Sequence, residues 1–260
     1  ALSAPGRLLH DLGNLAESVG TFRRLAGDEV ESSLNGPIGP HRRWVWASTT
    51  IAGIKKIRAA HGGTVNDVVL AAIALGFRKL LRSRGEPVEG LCVRTLVPVS
   101  LRTEEEHGHL DNRVSAMFAD LPVDIEDPRE CLASVRRQMD DLKSHHQAVA
   151  MGALNALSEV TPPALLALSA RLFAGLEQHT VQTVATNVPG PRHTLYAAGR
   201  RMLAAYPYVP LGGAVRIGVA IFSYAGRVSF GITGDYEEAP DIGVLAEGIE
   251  SGIAQLIESS

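Results

Sequence analysis

Apolar and polar residues follow two rhythms along this chain, and the rhythm changes from segment to segment. Leu8, Leu9, Leu12, Leu15, Val19 and Phe22 recur at helical spacing, which predicts a helix over 8–27 broken near Gly20. An acidic stretch follows, and then S-S-L-N-G-P-I-G-P-H-R-R, whose prolines and glycines exclude regular structure up to residue 43. Residues 45–51 read as a short strand, and Ile51–His61 as a basic helix stopped by Gly62-Gly63. Thr64-Val65-Asn66-Asp67 has the spacing of a capping box and opens a helix running to about Ser83. That helix is apolar over most of its circumference, so it should be buried.

Period-two segments come next. Leu91–Val99 and Val114–Val123 read as strands separated by the charged loop of residues 100–112. Asp127-Pro128 starts a helix to about His145, a second helical region covers 149–158, and Thr161-Pro162-Pro163 opens a third. Val181–Val188 reads as a buried strand stopped by Pro189-Gly190-Pro191, which lack two backbone donors. From Met202 the chain is expected to be β-rich, with a hairpin of Val215–Tyr224 and Arg227–Thr233 across Ala225-Gly226, and Asp241–Ile257 closes it as an amphipathic helix. Helices and strands are intermixed, which predicts an α/β fold with a mixed β-sheet flanked by helices.

The 260 residues, 45% hydrophobic and 20% charged, suit a globular core. A net charge of −3 gives no basic surplus for nucleic acid. Cys92 and Cys131 fall in element positions expected to be buried, and a reduced, intracellular chain is the simpler reading, with one disulfide left open. The start lacks a secretory pattern and an initiator Met, so the chain is expected to be processed or a piece of something longer. The most apolar run, 163–176, is too short to span a bilayer. It could line a domain interface, which is the favoured reading, or lie on a membrane or lipid-droplet surface.

Five short motifs come in a fixed order: Leu34-Asn35-Gly36-Pro37; Thr64-Val65-Asn66-Asp67-Val68-Val69-Leu70-Ala71; Val97-Pro98-Val99-Ser100-Leu101-Arg102; Asn112-Arg113; and Asn187-Val188-Pro189-Gly190-Pro191. In this order they resemble the bacterial wax ester synthase/diacylglycerol acyltransferase family, over roughly 8–258, and the Ala, Arg and Gly content fits its actinobacterial branch. The resemblance implies one half of a two-domain, chloramphenicol acetyltransferase-like acyltransferase with its active site in a tunnel between the halves. It implies residues 1–50 as a linker helix and loop after an amino-terminal domain, and 51–260 as the carboxy-terminal acyltransferase domain. The family's H-H-x-x-x-D-G signature is missing here. His145-His146 is followed by Ala150 and Met151 where Asp and Gly would stand, and reads as the polar end of a helix.

The resemblance therefore implies that the general-base histidine comes from the other half, and that no catalytic residue lies in this one. Thr186, Asn187 and Asn35 are the oxyanion or tunnel candidates; turn capping is the alternative for both asparagines. Asn66 and Asp67 sit in a first helical turn where a structural role is favoured, with Asp67 able to pair with Arg102 or Arg113. Ser100 and Arg102 lie past a strand end, where they could face a coenzyme A entrance, and Arg42 and Arg43 beside His41 could meet coenzyme A phosphates; a solvated loop is the favoured reading for all three arginines. His107 and His109 lack a third ligand at fixed spacing, so no metal is expected.

The implied activity is transfer of a fatty acyl group from acyl-coenzyme A, as co-substrate, to diacylglycerol or a long-chain alcohol. No bound cofactor is expected. The setting would be cytoplasmic, or peripheral at the inner membrane or lipid droplets. Two other readings stand beside it: a non-catalytic lipid-binding or partner-docking module, and a condensation-type transferase using carrier-bound acyl groups.

Overall fold

The computed structural model describes residues 32–100, 114–157, 181–191 and 193–260, and the side chains of all but 99–100, 114–116 and 143–157 among them. The expected helix over 8–27, the apolar run 163–176, and Arg102, His107, His109 and Arg113 lie outside the described residues. In chain order the elements are β1 (Arg42–Thr50), α1 (Ile51–His61), α2 (Val65–Ser83), β2 (Cys92–Ser100), β3 (Val114–Pro122) and α3 (Pro128–Leu157). They continue with β4 (Thr183–Pro189), β5 (Tyr196–Ala197), β6 (Arg200–Arg201), β7 (Ile217–Tyr224), β8 (Arg227–Asp235) and α4 (Ile242–Glu258).

Six strands form one mixed sheet in the order β1-β8-β7-β4-β2-β3, with β7, β4 and β2 mutually parallel and the outer pairings antiparallel. Alternation assigns the faces. Ala47, Phe230, Ile232, Val219, Ala185, Val97 and Leu121 point to the side where the helices pack, and all are buried there. On this side α2 is the central member: Val68 through Phe77, together with Leu80 and Leu81, are buried. Its start is fixed as the spacing predicts, with Thr64 Oγ1 accepting from Asp67 N and Asp67 Oδ2 accepting from Thr64 N. It crosses α4 at paired glycines, where a Cβ on Gly248 would stand 2.7 Å from Gly76 Cα. Glycine there is a packing requirement, because the two backbones touch.

The other face is covered in part by residues 202–212. These form no strand, contrary to the β-rich expectation from Met202, since Pro207 and Pro210 supply no N–H to a ladder. A Cβ on Gly231 would lie 1.7 Å from the Pro207 carbonyl oxygen, and that oxygen accepts from Trp44 Nε1 at 3.2 Å. Only the ribbon β5–β6 precedes this strap, and Tyr224 pins it by accepting from Leu195 N and donating to Met202 O.

Two further expectations change. The helical regions to His145 and over 149–158 form one helix, α3, because no proline interrupts 129–157. Cys92, expected buried, opens β2 and is exposed, while Cys131 is buried and both are free thiols. Burial and the nearby Asp124 carboxylate push the Cys131 thiol up to about 12, so it stays protonated and inert. Among the described residues no helix is long and apolar enough to cross a membrane.

The Gly231 contact yields a test of this packing. Gly231→Ala should lower unfolding stability by about 3 kcal/mol, since backbone must move to admit one methyl. Urea unfolding should show a lower midpoint at an unchanged slope.

Candidate active site at the carboxyl ends of the parallel strands

Open α/β sheets place ligands beyond the carboxyl ends of their parallel strands. Here β2, β4 and β7 end on one side of the sheet, with Ser100 paired to Val114 and Asn187 level with Ile221. Arg102 and Arg113 fall within residues 101–113, outside the described residues. Arg84, just past the carboxyl end of helix α2, pairs with Asp241 at the opposite end of the sheet, while the start of α2 is at the same end as Asn187. There Asn187 Nδ2 donates to Asn66 Oδ1 at 3.4 Å, a weak contact between two motifs 121 residues apart. Asp67 lies beside it, fully buried, and its Oδ1 has no hydrogen-bond partner among the described residues. An unpaired buried carboxylate oxygen is costly, so this end keeps an unmet demand for a donor.

The turn after β4 is held rigidly. Gly190 N donates to Ser223 Oγ at 3.2 Å, and a Cβ on Gly190 would stand 2.0 Å from the Ser223 carbonyl oxygen. Strand alternation then separates the two donor candidates. Asn187 faces the helices and Thr186 faces the opposite side. Thr186 shares its side with Val184, Leu96, Pro98 and Phe118, which are half-buried, and Val188, which is 51% exposed.

Asn35, Arg42 and Arg43 sit elsewhere. Asn35 Nδ2 donates to Val181 O at 2.7 Å and Ala214 O at 3.4 Å, clipping three loops together before β1, β4 and β7. Val181 lies six residues before Asn187, so Asn35 is about 20 Å away at the far end of β4. Arg42 pairs with Asp235 across β1 and β8, also at the far end, and donates to Gly39 O, His41 O and Asp235 Oδ2. Arg43 donates to Tyr236 O at 2.8 Å and lies 4.0 Å over the Tyr236 ring. Arg42 Nη1 and Arg43 Nε are thus engaged by the protein's own groups.

Asp235 organises that far end. It accepts from Gly39 N at 2.7 Å, Glu238 N at 3.0 Å and Glu237 N at 3.1 Å. Burial disfavours its charge, but those N–H groups and the Arg42 guanidinium outweigh burial and hold the carboxyl below the ordinary carboxylate range. A depression of about 190 Å³ between α2 and α4, lined by Leu75, Arg78, Lys79 and Gln255, is remote from Asn187, and its cations pair with Glu126 and Glu247.

Periodicity does not reveal the Asn66–Asn187 contact, because it depends on which strands are neighbours. The only sequence signal for it is that both motifs stand where an element begins or ends against a turn.

With this geometry, the fold matches that of a wax ester synthase/diacylglycerol acyltransferase from Marinobacter aquaeolei VT8, at a TM-score of 0.70 and 22% identity, covering 100% of this chain and 57% of that one. The epimerization domain of tyrocidine synthetase B is similar at a TM-score of 0.55 and 13% identity, covering 95% and 56%. The class is thus the condensation-domain and chloramphenicol acetyltransferase-like fold. Within it, residues 110–257 match the WS/DGAT C-terminal domain, and the chain belongs to that family of acyltransferases. A putative diacylglycerol O-acyltransferase of Mycobacterium bovis is 42% identical over 229 residues, 88% of this chain and 50% of that protein. Another, from Mycobacterium tuberculosis, is 34% identical over 86% of this chain and 46% of its own length. The chain therefore spans about half the length of the curated relatives it matches.

Linkage gives a test of the far-end lock. A carboxyl held low in the fold contributes stability that is complete above the unfolded-state pKa of about 3.9 and is lost as pH falls below it. Asp235→Asn should cost about 1–3 kcal/mol at pH 7, by leaving buried donors unpaired. Urea unfolding at two pH values should show the gap to the parent narrowing below about pH 4.

Proposed function

We propose that this chain is the carboxy-terminal half of an O-acyltransferase that moves a fatty acyl group from acyl-coenzyme A to diacylglycerol or a long-chain alcohol. The observation that carries the reading is the Asn187–Asn66 junction, two motif asparagines joined at the carboxyl ends of the parallel strands. The general base is drawn from an amino-terminal half with H-H-x-x-x-D-G, the signature that this sequence lacks. Its imidazole takes the proton from the acceptor hydroxyl, and the oxygen attacks the thioester carbonyl. The carbon–sulfur bond then breaks, and the imidazolium returns the proton to the departing thiolate. Asn187 Nδ2 has a second N–H beyond the one directed at Asn66, and this serves the oxyanion or the donor's carbonyl.

Asp67 Oδ1 is the acceptor for Arg102 or Arg113, either of which would tie the segment after Ser100 to the start of α2. Thr186 and the apolar strip around it form one wall of the acyl tunnel, where each buried methylene contributes roughly 0.8 kcal/mol. Asn35 supports that wall from its far end. The acceptor is a lipid, so the enzyme would work peripherally at the inner membrane or a lipid droplet.

The test joins this chain to an H-H-x-x-x-D-G half and supplies acyl-coenzyme A with diacylglycerol or hexadecanol. Ester product is expected, and Asn187→Ala should lower kcat by about 10–1,000-fold at an unchanged unfolding midpoint. Absence of product with either acceptor would sink the reading in favour of a lipid-binding or docking module. Turnover only with carrier-bound acyl groups would replace it by the condensation-type reaction.

A further inference from the structure

We propose that the turn between α1 and α2, flanked by Arg58 and Arg136, is the seat for the phosphate-bearing end of the acyl donor. This rests on acyl-coenzyme A being that donor, and it concerns residues to which no role has been given so far.

Three observations carry it. The first is the guanidinium pair. Arg58 Nε donates to Gly63 O at 3.0 Å, and Arg136 Nη1 donates to His61 O at 3.2 Å, so both guanidiniums gather on the Gly62-Gly63 turn. Gly62 has φ +75° and Gly63 φ +84°, and a Cβ on Gly62 would lie 2.6 Å from Arg136 Nη1. Glycine at this turn lets the Arg136 side chain lie directly against the backbone. Both arginines are exposed, and most of their N–H groups remain available.

The second is charge. Arg42, Arg78, Arg84, Arg94 and Arg216 each hold a carboxylate, on Asp235, Glu126, Asp241, Asp120 and Glu238. Neither Arg58 nor Arg136 has a carboxylate partner among the described residues. Helix α1 carries Lys55, Lys56 and Arg58 and no acid at all, in a chain of net charge −3. A local positive surface on an acidic protein is a focus for anions, and guanidinium forks suit phosphate oxygens. Asp67, which packs against the same turn, accepts from Thr64 N through its Oδ2 at 2.7 Å.

The third is place. Gly63 stands three residues before Asn66, so the arginines are on the rim of the end where Asn66 meets Asn187. An extended thioester arm held by its phosphates at this rim would point its acyl end toward Asn187. Arg42 and Arg43, singled out from sequence, lie at the opposite end of the sheet from Asn187.

The experiment titrates adenosine 3′,5′-bisphosphate into the chain joined to its H-H-x-x-x-D-G half, by calorimetry, which needs no turnover. The parent should bind it, and the double variant Arg58→Ala, Arg136→Ala should bind at least 10-fold more weakly at an unchanged unfolding midpoint. Lysine at both positions should restore part of the affinity. In turnover, the double variant should raise KM for acyl-coenzyme A at nearly constant kcat, and leave KM for the same acyl group on phosphate-free N-acetylcysteamine unchanged. The proposal is overturned if the parent does not bind the bisphosphate or the double variant binds it equally well. It is also overturned if the variant loses only binding to vesicles of phosphatidylglycerol, which would make the turn a lipid-headgroup contact. Bisphosphate binding without any ester product would leave this seat standing and remove the acyltransferase reading instead.

Discussion

The burial of α2 on nearly every side is the constraint around which the domain is arranged. A helix with this much apolar surface must be enclosed by a sheet below and by helices beside it. The sheet supplies its floor, α4 meets it backbone to backbone at Gly76 and Gly248, and α3 closes the remaining side. With Arg84, just past its carboxyl end, held to Asp241 beyond β8, α2 brings its amino terminus to where the parallel strands finish. The Asn66–Asn187 junction is thus a consequence of packing, and its chemistry borrows the rigidity of the core.

The end of the sheet opposite Asn187 is closed by paired charges. At the end where β4 begins, Asp235, Arg42, Arg84, Asp241 and Arg216 find partners in one another or in backbone groups. That end closes loops, and its Arg84–Asp241 pair holds the start of α4; the Arg84 hydrogen bond keeps the Asp241 carboxyl low. Among the described residues, Asp67 Oδ1 lacks a hydrogen-bond partner at the end where β4 finishes, as Asn35 Oδ1, Gln182 Nε2 and Thr233 Oγ1 do at the end where it begins.

Much of this architecture was legible in the sequence. Thr64, Asp67 and the apolar run after them announce α2 and its cap. Ala225-Gly226 announces the β7–β8 hairpin, and φ is positive at both, +47° and +83°, as a two-residue hairpin turn requires. Pro189 and Gly190 announce the end of β4. Other features turned on pairings that no local window contains. Asn35 and Asn187 look alike as asparagines before turns, yet neighbouring strands carry them to opposite ends of the sheet. Arg42 and Arg43 look like a free basic cluster until β8 brings Asp235 and Tyr236 alongside. The cations of α1 were readable as a basic helix, but their position beside Asn66 follows only from how α1 and α2 fold back on each other. The strap over Gly231 was missed because its prolines leave it no periodic signal.

Thr186 and Asn187 are neighbours in sequence but look out on different compartments, one apolar and one packed under α2. A slip of β4 by a single position would exchange them, turning an amide toward the apolar strip and a hydroxyl toward the helix. The Pro-Gly-Pro corner forbids this, because only glycine fits against the Ser223 carbonyl and so only one alignment of β4 with β7 is open. The corner therefore acts as an indexing stop: it sets which chemistry each compartment sees, although none of its three residues need touch a substrate.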